Sequence, residues 1–246
     1  MDMSDLVEHG IKGRGPGYFF TTTDYGQLQA ILVLSGCLRA EIAGVTHDLT
    51  PGLLLWLPPG SSFTLSCQGC SYRGVFAIRR GDKARDQARV STPVPQLAAL
   101  AEAMCVEASA PAGASAQALT HLAEAFLILA GRVDRTEGAG DAWAERLRLV
   151  IGFHLSDQTP VRELCSSWPI SYRQLARRFT SAFGASPKAW QLTQRLVRAR
   201  TRLADSRLSI TDIALEHGFA SSQHFASSFR RHFGATPRTV RPRAGS

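Results

Sequence analysis

The chain has 246 residues, of which 44% are hydrophobic and 20% are charged. This composition is typical of one large or two average globular domains, and it excludes a fibrous or fully disordered chain. No apolar stretch reaches the ~18 residues of a membrane helix, and Met1–Gly10 lacks the features of a signal peptide. We therefore expect a cytoplasmic protein without a membrane partner. The five cysteines form no evident disulfide framework, which favours reduced thiols.

Charge is distributed unevenly along the chain, whose formal net charge is +8. Residues 142–246 contain 17 Lys and Arg against 6 Asp and Glu, whereas residues 1–141 contain 11 against 14. A basic C-terminal part favours a polyanionic partner, with nucleic acid as the first candidate and an anionic membrane surface as the second.

Short apolar stretches separated by Gly, Pro, Asp and Ser occupy the chain from Gly17 to about Ile78. They predict strands at Leu28–Leu34, Leu38–Ala43, Leu53–Leu57, Phe63–Ser66 and Tyr72–Ile78. Strands of this length and spacing are typical of a small antiparallel barrel or sandwich.

The segment Gly52–Phe63 resembles the second sequence signature of cupins, G-x5-P-x-G-x2-H. Phe63 stands where that family has a metal-binding His, and a loose alignment of the first signature places Thr23, Tyr25 and Gln29 at its ligand positions. Protein sites for Zn, Fe or Mn are built from imidazole, thiolate or carboxylate groups. The sequence therefore predicts a domain without a metal, a cofactor or catalytic residues.

We expect this cupin-like barrel to hold a neutral or weakly polar small-molecule effector. Its predicted lining residues are Tyr25, Gln29, Trp56 and Phe63. In the alternative interpretation, these four side chains are ordinary core residues and the barrel only supports dimerisation.

Cys67 and Cys70 are close enough in sequence to close a redox-sensitive disulfide. Their setting between two predicted strands differs from the helix start that lowers a thiol pKa in thioredoxin-like sites. Redox control is kept as an alternative.

Two helical stretches follow, at Pro95–Ala108 and Ala116–Val133. The second has apolar residues alternately three and four positions apart, which is the spacing of a coiled-coil seam. It predicts a homodimer through Leu119, Leu122, Phe126 and Leu129. Packing of the same residues against the barrel is the alternative. Asp134–Gly140 has the composition of a linker.

The C-terminal part contains an internal repeat, because residues 171–187 align without gaps on residues 221–237. Each copy predicts one helix with a Ser N-cap and a Gly at its end. Each has an apolar stripe at positions i, i+4 and i+8: Leu175, Phe179 and Phe183 in the first copy, and Phe225, Phe229 and Phe233 in the second. We expect the other faces to bind DNA through Arg173, Gln174, Ala176, Arg177, Arg178, Ser222, Gln223, His224, Ser227, Arg230 and Arg231.

A shorter helical pattern precedes each copy, at Val161–Trp168 and at Thr211–Gly218. A short helix, a tight turn and an amphipathic helix form a helix-turn-helix unit, whose second helix enters the major groove. Arg and Gln are suited to read guanine and adenine there. A connecting helix from Pro187 to about Ala204, roughly 27 Å long at 1.5 Å per residue, could hold two reading helices one DNA turn apart.

The pattern Ile213-Ala214-x3-Gly218-Phe219-x5-Phe225-x3-Phe229-x3-Phe233-Gly234-x-Thr236-Pro237 closely resembles the DNA-binding domain of AraC/XylS-type bacterial transcription regulators. The resemblance covers about residues 141–243 and implies a seven-helix domain with two helix-turn-helix units. Carried over by position, it implies base contacts from Arg173, Ala176 and Arg177 and from Gln223, His224 and Ser227.

Two positions depart from the family pattern, since Cys165 replaces a usual Ala and Ser227 replaces a residue that is often long and basic. We therefore expect the first unit to read sequence more strongly. The second should contribute mainly phosphate contacts through Arg230 and Arg231.

These observations predict an α+β chain with three parts. Residues 1–90 form the cupin-like antiparallel β-barrel, residues 91–140 the helical dimerisation segment and linker, and residues 141–246 the all-α double helix-turn-helix domain. The predicted function is sequence-specific transcription regulation, either activation or repression, under the control of a small-molecule effector. The expected partners are double-stranded promoter DNA, the effector and a second copy of the chain, with RNA polymerase as a further candidate. The alternatives are an effector-independent or architectural DNA-binding protein and a degenerate cupin enzyme.

Overall fold

The computed structural model describes residues 6–81, 86–109, 115–133, 142–166, 168–205 and 208–241. These residues form two compact units. The first extends to Val150 and includes Trp168 and Pro169, and the second contains Ile151–Ser166 and the chain from Ile170 onward. The predicted linker Asp134–Gly140 lies outside the described residues.

The described part of the first unit begins with antiparallel strands in two sheets. The strands are β1 (Leu6–Arg14), β2 (Phe19–Tyr25), β3 (Gln27–Gly36), β4 (Leu38–Ile42), β5 (Val45–Leu49), β6 (Leu54–Leu57), β7 (Ser61–Ser66), β8 (Tyr72–Arg80) and β9 (Arg89–Ser91). One sheet has the order β1-β8-β3-β6-β9, and the other has the order β2-β7-β4-β5.

The core of this unit is formed by the side chains that alternate toward the space between the two sheets. Ile31 on β3 lies opposite Leu55 on β6 and Phe76 on β8, so the three share one face of the larger sheet. Phe63 and Leu65 on β7 belong to the same buried cluster from the smaller sheet. Period-two alternation thus decides which residues are buried.

All five predicted strands are confirmed, and so is the α+β class. The structure adds β1, β2, β5 and β9, which the sequence did not predict. β1 contains two glycines and alternates charged with apolar residues, and β2 contains a run of three threonines. Neither has the apolar stretch on which the strand predictions depended.

Two helices, α1 (Pro95–Ala108) and α2 (Ala116–Arg132), continue the first unit. α2 packs on the larger sheet, because a Cβ atom on its Gly131 would lie 3.0 Å from the Trp56 ring on β6. His9 Nε2 on β1 also lies 3.1 Å from Thr120 Oγ1 on α2. Both helices were predicted with nearly the observed bounds.

The predicted dimerisation seam is partly wrong, because the chain itself fully buries Phe126. The side chains of Leu119, Leu122 and Leu129 are only half-buried. Phe126 was assigned to the seam from heptad spacing alone, and that spacing does not distinguish a contact with the sheet from a contact with a second chain.

The described residues from Ala142 onward form seven further helices, in agreement with the number that the family resemblance implies. They are α3 (Ala142–Phe153), α4 (Val161–Leu164), α5 (Tyr172–Phe183), α6 (Pro187–Asp205), α7 (Ile210–Glu216), α8 (Ser222–Phe233) and α9 (Pro237–Val240). α4 is shorter than predicted, since it ends before Cys165. None of the helices in the described ranges is both long and apolar enough to span a bilayer.

The division between the units falls within α3, after Val150. Arg146 holds the first part of α3 in the first unit: its guanidinium donates to the Pro51 carbonyl over 2.7 Å and also to the Thr50 hydroxyl. The guanidinium lies 4.1 Å from the centre of the Trp168 ring. Burial lowers the pKa of Arg146 to about 10, which still leaves it charged at neutral pH.

The second unit is built around the aromatic stripes predicted from the repeat. Phe225 and Phe229 of α8 are fully buried in a cluster with Leu196 of α6 and Ile213 of α7. In α5 the corresponding Phe179 is fully buried and contacts the Trp190 ring edge-on at 6.0 Å.

Ser228 provides a test of this packing, because it is 1% exposed and its hydroxyl has no hydrogen-bond partner in the described part of the chain. Ser228→Ala removes a buried polar group without a partner, so we expect it to raise the free energy of unfolding by about 1 kcal/mol. Differential scanning calorimetry of the full chain measures the change.

The matched control is Ser227→Ala, because Ser227 is exposed and its hydroxyl donates to the His224 carbonyl over 3.0 Å. We expect it to change stability by less than about 0.5 kcal/mol. A loss of stability in Ser228→Ala would contradict the placement of its hydroxyl in an apolar core.

Candidate nucleic-acid interface and ligand pocket

The start of α5 is fixed by a reciprocal cap. The Ser171 hydroxyl accepts a hydrogen bond from the Gln174 backbone N–H over 3.3 Å, and the Gln174 side-chain oxygen accepts one from the Ser171 N–H over 3.4 Å. At the other end, Gly184 adopts a left-handed φ of +70°. These caps set the bounds of α5, and the burial of Leu175 and Phe179 sets its rotation.

The candidate DNA-binding side chains of α5 lie where the sequence predicted them. Arg173, Gln174, Arg177 and Arg178 are exposed, and Ala176 is half-buried beside them. Arg173 and Arg177 are four residues apart and therefore share one side of the helix. The oxygen of Gln174 is already used in the cap, which leaves mainly its amide N–H groups for an external partner.

α8 has the same construction with a different distribution of charge. Ser221 caps it by accepting the His224 backbone N–H over 3.2 Å, and Gly234 ends it with a φ of +71°. Its candidate residues Gln223, His224, Ser227, Arg230 and Arg231 are exposed, and Ser222 is half-buried.

The two helices carry their arginines at opposite ends. The repeat aligns Arg173 with Gln223 and Arg177 with Ser227, whereas Arg230 and Arg231 lie in the last turn of α8. The N-terminal residues of a recognition helix are the ones that contact base edges. This difference supports base reading by α5 and phosphate contacts by α8.

The guanidinium groups of Arg173, Arg177, Arg230 and Arg231 make no ion pair with any residue in the described ranges. An exposed Arg without a carboxylate neighbour can form two parallel hydrogen bonds to a phosphate or to guanine. Each of the two helices therefore carries exposed cationic side chains suited to nucleic acid.

Arg195 on α6 braces the region between the two helix-turn-helix units. Its guanidinium donates to the Leu155 carbonyl over 2.8 Å, to the Gly218 carbonyl over 3.0 Å and to the Asp157 carbonyl. Gly218 has a φ of +74°, and a Cβ atom there would lie 2.7 Å from the Leu155 oxygen. One side chain thus ties the segment before α4 to the turn between α7 and α8. No pattern in the sequence indicated this contact.

A separate pocket of about 160 Å³ lies in the first unit, between the edge strands β1 and β2 of the two sheets. It is lined by Glu8, Lys12, Arg14, Tyr18, Phe20, Tyr25, Gln29, Ile31, Leu65, Tyr72, Gly74, Phe76 and Ile78. Its combination of aromatic walls with a few polar and charged groups is typical of a small-molecule site.

The structure brings together two of the four predicted effector-binding residues, because Tyr25 and Gln29 both line the pocket. Phe63 does not line the pocket itself, but its ring contacts the ring of Tyr25 edge-on at 5.3 Å. The prediction for Trp56 is wrong: it lies on the other face of the larger sheet, where its Nε1 donates to Asp86 over 2.7 Å. The charged lining residues Glu8, Lys12 and Arg14 were missed because β1 was not predicted.

The cysteines are arranged differently from the predicted pair. Cys70 donates through its Sγ to the Cys37 carbonyl over 3.2 Å, and its side chain also forms a hydrogen bond with the Cys37 thiol. Burial, followed by the hydrogen bond with Cys70, raises the pKa of Cys37 to about 11. Burial also raises the pKa of Cys67. Protonated thiols are weak nucleophiles, which disfavours the redox alternative. The described residues contain no group of three or more His, Cys, Asp or Glu side chains placed to hold a metal ion.

Comparison with known proteins points to the second unit. A sequence model of the helix-turn-helix domain family matches residues 164–243. The HTH-type transcriptional regulator ExsA of Pseudomonas aeruginosa is 36% identical over 93 residues, which are 38% of this chain and 34% of ExsA. The thermoregulatory protein LcrF of Yersinia pestis is 25% identical over 249 residues, covering 90% of this chain and 92% of LcrF.

The solved DNA-binding domain of AdpA, in complex with a target DNA, is 33% identical, with a TM-score of 0.38. The match covers 42% of this chain and 91% of that domain. The chain thus spans about a third of ExsA, whereas its similarity to LcrF extends over most of both proteins.

The brace at Arg195 can be tested by removing its hydrogen bonds. Arg195→Met keeps most of the aliphatic side chain but leaves three carbonyl groups without their donor. A hydrogen bond to a charged group contributes about 1.5–3 kcal/mol, so we expect a loss of about 2–4 kcal/mol in unfolding free energy, measured by urea denaturation of the full chain.

The control is Arg200→Met on the same helix, because Arg200 is exposed, lies 4.9 Å from the Phe233 ring and has no carbonyl partner among the described residues. We expect this variant to lose no more than about 1 kcal/mol. Equal losses of unfolding free energy in the two variants would show that the three hydrogen bonds to carbonyl groups do not stabilise the fold.

Proposed function

We propose that the chain is a member of the AraC-type helix-turn-helix proteins and that it regulates transcription by binding promoter DNA through α5 and α8. It is a DNA-binding protein and not an enzyme, like the regulators that it resembles. The observation that carries the proposal is the pair of capped helices with buried aromatic stripes and with Arg173, Arg177, Arg230 and Arg231 exposed and without an ion pair to any described residue.

The two helices have different roles in this proposal. α5 reads bases with Arg173 and Arg177 from its N-terminal half, and Ala176 packs against the groove between them. α8 contributes weaker base contacts through Gln223 and His224. Ser227 adds little, because its hydroxyl is turned to its own helix. Arg230 and Arg231 bind phosphates, which position the protein without selecting sequence.

The first unit senses a small molecule in the pocket between β1 and β2, and it also carries the dimer contact. Binding of the small molecule changes the affinity of the protein for DNA, so one chain is both receptor and regulator. It acts in the cytoplasm. RNA polymerase is the further partner that activation would require.

The dimer contact lies on one side of α2. At 100° per residue, Ala118, Leu122, Ala125 and Leu129 form a half-exposed stripe with alternating spacings of four and three. This stripe shares Leu122 and Leu129 with the predicted seam, but it does not include the buried Phe126. Its spacing fits a short coiled-coil contact with a second copy.

The DNA-reading roles are tested with the full chain and a binding site selected from random duplexes. Arg173→Ala or Arg177→Ala should weaken binding to the selected site by ~1–3 kcal/mol and relax the preference at one base pair. Arg231→Ala should weaken binding to selected and scrambled DNA equally and reduce the salt dependence. Fluorescence anisotropy titrations measure the affinities.

Arg80→Ala is the charge-matched control, because Arg80 is exposed at the end of β8 in the first unit. It should leave both affinities unchanged. Equal losses on selected and scrambled DNA for Arg173→Ala and Arg177→Ala would refute base reading by α5.

The dimer contact is tested with the double variant Leu122→Glu/Leu129→Glu. We expect it to convert a dimer to a folded monomer in size-exclusion chromatography with light scattering, because each chain would bring two carboxylates to the seam. Gln117→Glu adds the same charge at an exposed position on another side of α2 and should leave the mass unchanged. A double variant that keeps the parent's dimeric mass would rule out this stripe.

A further inference from the structure

The pocket between β1 and β2 has a polarised wall. Glu8, Lys12 and Arg14 lie at alternate positions of β1, so their side chains share its inner face. Glu8 is paired with Ile78 and Arg14 with Tyr72 on β8. Six residues of strand separate these two levels, which corresponds to about 20 Å. Glu8 therefore lies toward one end of the pocket and Arg14 toward the other.

The two cations in the wall differ in whether they already have a partner. Lys12 Nζ lies 2.5 Å from Glu8 Oε1, so its charge is neutralised within the pocket. Arg14 makes no ion pair with any described residue: its only hydrogen bond is a long one, 3.4 Å, to the neighbouring Gly13 carbonyl. Its guanidinium lies 5.3 Å from the centre of the Tyr18 ring. Arg14 therefore presents an uncompensated positive charge.

The residues around Arg14 add a hydrogen-bond donor and aromatic surface. Tyr72 is paired with Arg14 across the strands and is 8% exposed. Burial raises the pKa of Tyr72 to about 12, so its phenol remains a proton donor at neutral pH. Phe20, Tyr25 and Phe76 supply aromatic wall farther along the pocket.

The size of the pocket limits its occupant. Its volume is about 160 Å³, and an apolar cavity of about 150 Å³ in another protein holds benzene. A molecule with a single ring and one short substituent fits this space, whereas a sugar oligomer or a peptide does not.

We propose that this pocket binds a compact one-ring organic anion, with the carboxylate paired to Arg14 and Tyr72 and the ring between Phe20, Tyr25 and Phe76. The proposal rests on the proposed function, in which this pocket receives the effector, and it replaces the neutral ligand expected from the sequence. A guanidinium can bond a carboxylate through two parallel N–H groups. Edge and face contacts with three aromatic rings would hold the body of the ligand.

The test compares three probes that share a ring and chain length but differ in charge: phenylacetate, 2-phenylethanol and 2-phenylethylamine. Each is titrated calorimetrically into the full chain at fixed ionic strength. The proteins are the parent, Arg14→Gln, Arg14→Lys and the control Arg73→Gln. Arg73 is exposed on β8 next to Tyr72, and strand alternation directs it to the other face of the sheet.

We expect the parent to bind phenylacetate more tightly than the alcohol and the alcohol more tightly than the amine. Arg14→Gln should weaken phenylacetate binding at least about tenfold, or 1.4 kcal/mol, and remove the preference for the anion. Arg14→Lys should retain that preference in part, and Arg73→Gln should bind like the parent. Circular dichroism checks that each variant is folded.

The proposal is overturned if phenylacetate does not bind at millimolar concentration, if the alcohol or amine binds as tightly, or if Arg14→Gln has no effect. DNA binding by the same samples separates this failure from failure of the proposed function. A protein that selects a DNA sequence but does not prefer the anion remains a regulator with another effector. A protein that selects no DNA sequence fails as a regulator, whatever its pocket binds.

Discussion

Both candidate reading faces depend on the burial of aromatic side chains on the other side of the same helix. Phe179 and Phe229 are fully buried, and each packs at 4.6 Å against the Phe one turn later. Burying one such side chain contributes about 1.5–3 kcal/mol. A rotation of either helix by one residue, about 100°, would expose that ring and bury an arginine. The aromatic stripe therefore decides that Arg173 and Arg177 face outward.

The same constraint explains why the C-terminal part could be predicted so fully from sequence. Its signals are local: a Ser cap, a stripe repeated every four residues and a Gly stop all lie within 17 residues of each other, and the copy at residues 221–237 repeats them. Helix bounds and exposed faces follow from such signals alone. The brace at Arg195 could not be predicted, because its three carbonyl partners come from loops distant in sequence.

The first unit was predicted less completely because its decisive contacts are long-range. β1 pairs with β8, whose partner residues follow it by 58 (Arg14 to Tyr72) to 73 (Leu6 to Arg79) positions in the chain, and its own sequence is too polar to indicate a strand. Trp56 and Phe126 were assigned to the wrong surfaces for a related reason. Periodicity identifies the apolar side of an element, but only the packing of α2 on the larger sheet decides what that side contacts. Glu8, Lys12 and Arg14 could not be assigned to the pocket from the sequence, because the strand that carries them, β1, was not predicted.

The central claim is that two capped helices, built from a repeated sequence, read neighbouring turns of one DNA duplex. Hydroxyl-radical and methylation-interference footprinting of the full chain on its selected binding site tests this most directly. The account predicts two protected major-groove patches on one face of the duplex, with centres about 10 base pairs apart, and stronger base interference in the patch bound by α5. A single patch, or protection without any selected sequence, would contradict it.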